Sequence, residues 1–158
     1  MKRTAGFTIV EITVVVTVIA ILVGIAFFSL SKVQADARDN TRRGNVTAIA
    51  HALERYHQTN GEYPSVRNLV NNYGGNTGTA VANLLKLKVE DLKMPRMPAS
   101  ATNALHSAGS PVNDYIIYTG SSVTNNAACQ SSTTGGCEKF TLTYAPESGS
   151  NIVINSRH

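Results

Sequence analysis

From Ile12 to Leu30 the chain carries no charged residue, and this run constrains the fold more than any other feature. As an α-helix it would be about 28 Å long, close to the roughly 30 Å hydrocarbon thickness of a bilayer. A helix that is apolar on every side has no solvent face, so it must lie in lipid or be enclosed by other protein. The residue just before the run breaks the pattern. Glu11 is a carboxylate inside a segment otherwise built to leave water, and ionisable groups in such segments are expensive and tied to function. After Ser31 the sequence becomes polar and rich in Asn, Thr, Ser and Gly. With 158 residues, of which 42% are hydrophobic and 15% charged, there is room for one membrane-length helix and one small domain.

The flanks set the topology. Lys2 and Arg3 precede the apolar run and should remain cytoplasmic, which places the chain beyond Lys32 on the far side of the membrane. Asp36, Arg38, Asp39, Arg42 and Arg43 are of mixed sign and carry little topological information. The two cysteines, Cys129 and Cys137, suit an exported domain. They form an even pair in a Ser/Thr/Gly-rich segment with no metal-ligand spacing and no nearby His, so a short disulfide loop is expected, with two unrelated free thiols as the alternative.

Two readings of the N-terminus compete. A conventional secretory signal has an apolar core of about 7–15 residues and a small-x-small cleavage site. Val33-Gln34-Ala35 would serve as that site, but the apolar run is longer than such signals need. The other reading rests on Lys2-Arg3-Thr4-Ala5-Gly6-Phe7-Thr8-Ile9-Val10-Glu11, a short basic leader, then a glycine, an aromatic and an acid five positions after the glycine. This stretch resembles the class III signal of type IV pilins and pseudopilins. The resemblance implies a cut by a prepilin peptidase between Gly6 and Phe7 and N-methylation of Phe7. It further implies that the helix is stored in the membrane and then extracted into a filament, where Glu11 meets the N-terminal amine of a neighbouring subunit. Without the resemblance, Glu11 reads as an interfacial residue near a helix start, favoured there by the helix dipole. Many pilins carry a proline near the middle of this helix, whereas Phe28 occupies the corresponding place here. Gly24 is the one weak point in the run, costing about 1 kcal/mol relative to Ala or allowing a neighbouring helix to approach closely.

No proline occurs before Pro64, and apolar residues recur at Val46, Ile49, Ala50, Leu53 and Tyr56. That spacing is the three-and-four pattern of an amphipathic helix. One helix is therefore expected from Phe7 to about Thr59, roughly 80 Å long, ended by Asn60-Gly61. Tyr56…Asn60-Gly61-Glu62-Tyr63-Pro64 also resembles the helix exit common in pseudopilins and many bacterial pilins. The expected divisions are a leader (1–6), a membrane or filament-core half-helix (7–31), an amphipathic half-helix (32–59) and a globular head (60–158). In the head, Val66–Val70 and Ala80–Leu92 read as short helices separated by a glycine-rich turn. Asp114–Thr119, Lys139–Tyr144 and Asn151–Asn155 read as strands, the last two joined by Ala145-Pro146-Glu147-Ser148-Gly149-Ser150. The expected fold is α+β, a long N-terminal helix packed against a small antiparallel sheet, with Phe140, Leu142 and Tyr144 on the helix-facing side.

Enzyme chemistry finds no support. The four histidines are scattered, and His51 and His57 stand about 240° apart around a helix. No nucleophile elbow, zinc-protease motif or clustered carboxylate pair occurs, and the glycine-rich turn lacks the Gly-Lys-Ser/Thr of a phosphate loop. No cofactor or metal is expected. A calcium site is disfavoured because the C-terminal loops offer only Asp114, Glu138 and Glu147 as carboxylates. The formal charge of +4 is mild. Lys86, Lys88, Lys93 and Arg96 form a local basic cluster, for which a solvated helix face is a better reading than nucleic-acid binding, since Glu90 and Asp91 lie within it. The family resemblance implies a structural subunit of an extracellular type IV pilus serving motility, adhesion or surface interaction. Its partners would be further copies of itself, a prepilin peptidase, the pilus assembly machinery and, before assembly, membrane lipid. A pseudopilin of a secretion system and a competence pilin for DNA uptake are the alternatives within the family. An anchored or secreted ligand-binding domain that never polymerises is the alternative outside it.

Overall fold

The computed structural model describes residues 6–70, 77–107, 111, 115–122, 128–129 and 137–158. Its elements are α1 (Ile9–Asn60), α2 (Val66–Leu69), α3 (Gly78–Leu85), a 3₁₀ turn (Val89–Leu92), β1 (Leu105–His106), β2 (Ile116–Ser121), β3 (Lys139–Tyr144) and β4 (Ile152–Asn155). The chain divides into two compact units, Met1–Ala37 and Arg38–His158.

In the first unit, helix is the only regular structure among the described residues. Its large apolar side chains are open, from 47% exposed at Val23 to 84% at Ile9. Two hydroxyls in the run are satisfied within the helix, Thr13 Oγ1 donating to the Val10 carbonyl (2.9 Å) and Thr17 Oγ1 to the Thr13 carbonyl (2.7 Å). Such back-bonding removes the polar cost that a threonine would bring to an apolar environment.

The second unit owns the core. The later turns of α1 bury Val46, Ile49, Ala52 and Leu53, with Ala50 and Tyr56 half-buried beside them. This stripe follows the expected three-and-four spacing and packs into one cluster with Ile116 and Tyr118 of β2 and Phe140, Leu142 and Tyr144 of β3. The strand order is β1-β2-β3-β4. β2 and β3 pair antiparallel in the register Ile116↔Tyr144 to Ser121↔Lys139, and β3 and β4 pair antiparallel from Tyr144↔Ile152 to Thr141↔Asn155. Strict alternation along β3 places Phe140, Leu142 and Tyr144 in the core and turns Thr141 and Thr143 outward.

The sheet differs from expectation by one strand. β1, paired parallel to β2 through Leu105↔Ile116 and His106↔Ile117, makes it mixed rather than purely antiparallel. Two residues are too few to alternate, so no periodicity announces this strand. The first expected strand lies further along, at Ile116–Ser121, and its anticipated start at Asp114 is outside the described residues. The helix expected at Ala80–Leu92 is broken in two. Lys86 adopts the left-handed conformation (φ 54°), and Leu87 N–H reaches back to the Ala82 carbonyl (2.9 Å), which stops α3 in a Schellman-type cap. At the start of α3, Gly78 is held against Thr102, where any Cβ would meet the Thr102 carbonyl oxygen at 1.9 Å.

Candidate functional site

The N-terminal residues singled out by the sequence lie together at the start of α1. Thr8 precedes the first helical residue, and Glu11 stands three positions on. Thr8 N–H and Thr8 Oγ1 both donate to Glu11 Oε2 (3.0 Å each), and Glu11 N–H donates to Thr8 Oγ1 (3.2 Å). This is a capping box, which satisfies amides that a helix start otherwise leaves without partners. The sequence reading missed it, although Thr-x-x-Glu before an apolar run is its signature. Glu11 Oε2 is thus committed within its own helix, and the carboxylate is held at the helix's positive end. Gly6 lies one residue before Phe7, and among the described residues nothing approaches within 4 Å of where its Cβ would stand, so no packing among them requires a glycine there. Phe7 is 83% exposed.

The helix exit is built residue by residue from the Tyr56…Asn60-Gly61-x-Tyr63-Pro64 segment. Gly61 takes a positive φ of 78° and its N–H donates to the His57 carbonyl (2.7 Å), ending α1. Asn60 Nδ2 donates to the Tyr56 carbonyl (2.8 Å). Tyr63 is buried, its hydroxyl donating to Glu54 Oε2 (2.9 Å), while the Pro64 carbonyl accepts from the Tyr118 hydroxyl (2.6 Å). Burial, together with the Glu54 carboxylate, pushes the Tyr63 phenol up, and burial alone is the main force doing so at Tyr118.

Cys129 and Cys137 are bonded to each other. The bond is buried in the core, with Cys137 at 0% and Cys129 at 4% exposure. The Cys137 carbonyl accepts from Tyr63 N–H (2.7 Å), the Cys129 carbonyl from Val66 N–H (3.1 Å), and Cys129 N–H donates to the Gly120 carbonyl (2.8 Å). The disulfide therefore ties the chain just after α1 to the end of β2. Gly120 makes room for it, since a Cβ there would come within 3.0 Å of Cys137 Sγ.

A charged cluster within the second unit escaped the sequence reading. Arg42 is completely buried. Its Nη1 lies 2.7 Å from Asp39 Oδ1 and 2.9 Å from Glu147 Oε1. Arg38 grips the same Glu147 through Nε and Nη2, and Glu147 N–H donates to both oxygens of Asp39 (2.9 and 3.1 Å). The hydrogen bonds from Arg38, opposed by desolvation and seconded by Arg42, hold the Glu147 carboxyl down at about 2. The β3–β4 turn is thereby clasped to the first turns of α1 in this unit. The signal was present: Arg38 and Arg42 are four apart and share one helix face, and Glu147 is the only carboxylate in the turn.

The residues of the basic cluster expected from sequence sit in different surroundings. Arg96 stands 4.0 Å from Glu147, Lys88 and Lys93 flank the 3₁₀ turn, and Lys86 lines a cavity with Arg55. Glu147 is committed to arginines, so one of the three carboxylates considered for calcium is spoken for, and Asp114 is outside the described residues. Among the described residues no group of three His, Cys, Asp or Glu side chains could hold a metal. His57 stacks on Tyr63 (4.4 Å between centroids) and on His158 (5.1 Å), and makes no pair with His51.

A capped apolar helix start continuing into an α+β unit is the layout of a pilin-like protein, and comparison with known proteins agrees. Residues 1–27 match the family model of the prokaryotic N-terminal methylation motif. Over 66 residues the chain is 33% identical to the type II secretion system core protein G of Pseudomonas aeruginosa, covering 42% of this chain and 46% of that relative. The match thus spans less than half of the relative's length. No solved structure matches. The resemblance to type IV pilins and pseudopilins holds on the methylation motif and on this similarity.

Proposed function

We propose that this chain is the structural subunit of an extracellular filament of the type IV pilus kind, with no catalytic activity of its own. It is made as a membrane prepilin, cut after Gly6, methylated on Phe7 and polymerised through its N-terminal helix. The observation that carries this reading is the apolar surface from Phe7 to Val33, which nothing in the chain covers among the described residues. In the membrane, lipid covers it; in a filament, the same helix of neighbouring copies does. Glu11 enters this picture as the acceptor for the new Phe7 amine of a neighbour, because Oε1 remains after Thr8 has taken Oε2. A buried carboxylate paired with a cation is tolerable where an unpaired one is not.

A second reading is a pseudopilus subunit of a secretion system, favoured by the similarity to the type II secretion system core protein G. Deleting the gene in its host separates the two. The pilus reading expects surface filaments, visible by electron microscopy and collected by shearing, to vanish while protein secretion into the medium continues. Retained filaments with blocked secretion would favour the pseudopilus. Sequencing the mature terminus tests what both share: a start at methylated Phe7 is expected, whereas a start at Asp36 or an intact Met1 would contradict it.

A further inference from the structure

Between the end of α1 and the end of α3 lies a cavity of about 390 Å³, lined by Ala52, Arg55, Tyr56, Thr59, Leu84 and Lys86 among others. Its lining combines the apolar Ala52, Leu84 and Leu85, one aromatic ring, the polar Thr59 and Asn60, and two cations. Neither Arg55 nor Lys86 has a carboxylate partner among the described residues, in contrast to Arg38, Arg42 and Arg96, which all converge on Glu147. Two carbonyls near the end of α1 already accept side-chain hydrogen bonds, that of Arg55 from Thr59 Oγ1 (3.1 Å) and that of Tyr56 from Asn60 Nδ2 (2.8 Å). The two cations of this lining stand beside apolar side chains.

Lys86 adds an independent observation. It is the one non-glycine residue with positive φ among the described residues, at a helix-ending position where glycine or asparagine is the unstrained choice. A left-handed backbone disfavours any side chain with a Cβ. A lysine kept there sets an ammonium at the rim of the cavity against the backbone's preference, and such departures mark places where the side chain is used.

We propose that this cavity binds an acidic peptide segment of a partner protein, Arg55 and Lys86 taking its carboxylates while an apolar side chain between them lies against Leu84 and Tyr56. Charge complementarity selects the occupant. Arg presents a planar fork suited to a carboxylate, and Lys a compact second charge. A nucleic-acid strand would need a row of cations following its phosphates, and two cations do not supply one.

The test uses the full chain in micelles of an uncharged detergent, titrated with acetyl-Glu-Leu-Glu-amide and followed through backbone amide resonances. Saturable shifts confined to residues 55–60 and 84–86 are expected, with none for the acetyl-Gln-Leu-Gln-amide counterpart. Arg55→Gln and Lys86→Gly should each weaken binding about tenfold, the loss expected of one charged contact. Arg43→Gln, which removes the same charge from an exposed site elsewhere on α1, should leave affinity nearly unchanged. Lys86→Gly relieves the strained backbone, so its thermal midpoint should not fall. Equal binding of the neutral peptide, equal saturation by inorganic phosphate, tighter binding of an oligonucleotide at the same residues, or a Lys86→Gly variant that loses stability would each overturn the proposal.

Discussion

The two halves of α1 obey the same backbone geometry and opposite rules of side-chain placement. Up to Ala37 the large apolar residues described occupy every side of the helix and stay exposed; from Arg38 the stripe Val46, Ile49, Ala52 and Leu53 is buried, with Ala50 and Tyr56 half-buried beside it. The later half is completed by its own chain, through the sheet and the disulfide. The earlier half is left uncovered among the described residues, and an all-round apolar helix calls for a lipid or protein environment. Changes in the second half should therefore appear as stability, and changes in the first as processing or assembly with the fold unharmed.

The largest effect expected on the first side is at Gly6. Because no described residue crowds that position, Gly6→Val should leave the folded unit unchanged while abolishing the cut, leaving full-length precursor in the membrane and no filaments. Ordinary maturation of this variant on a gel would show that the processing site lies elsewhere.

On the second side the largest effect is at Glu147. Glu147→Ala takes from the fully buried Arg42 one of the two carboxylates that Nη1 meets, and breaking a buried charge network in this way costs about 3 kcal/mol. A lower thermal midpoint with unaltered processing and membrane insertion is the expected pattern; an unchanged midpoint would mean that the clasp contributes nothing. Opening the disulfide comes next. Replacing Cys129 and Cys137 together by Ser releases a short loop, worth about 2–3 kcal/mol, and should loosen the Tyr63–Val66 segment in hydrogen exchange. Unaltered protection of those amides would contradict the buried, tying role assigned to this bond.

How far the sequence could be read follows the same division. Charge-free length and the Gly-Phe-Thr-x-x-Glu pattern are local properties of the chain, so the N-terminal helix and its motif were legible directly. The core stripe of α1 and the alternation of β3 were legible because periods of 3.6 and 2 are written in consecutive residues. Three features were not. β1 is two residues long and defined only by its partner Ile116–Ile117. The break at Lys86 contradicts the residue preference for that conformation, so no glycine announced it. The clasp joins Arg38, Asp39 and Arg42 to a residue more than a hundred positions away, and mixed charges in sequence look like a solvated face until the turn that buries them is in place. The capping box was written in the sequence as Thr8-x-x-Glu11 and went unread because the acid drew a different explanation.

A smaller effect is expected from acid. Glu147 titrates near 2 in the folded unit against an ordinary value of 4.5, so its contribution is complete above about 4.5 and is lost as the pH falls from there toward 2. Thermal midpoints of the full chain in detergent should fall over that window, and Glu147→Gln should flatten the part of the slope due to this group. An equal slope in the variant would assign the acid sensitivity to other carboxylates.

We propose that the uncovered half of α1 is kept for contact with other copies, with Glu11 as its polar anchor. Replacing Glu11 by Val in the native host tests it most directly, with processed subunit measured in the membrane fraction and filaments in the sheared fraction. If Glu11 serves the Phe7 amine of a neighbour, the membrane should contain normal amounts of processed subunit, since a charge has been removed from an apolar segment, while few or no filaments are recovered. Abundant normal filaments from this variant would contradict the account and leave Glu11 with only its capping bonds to Thr8.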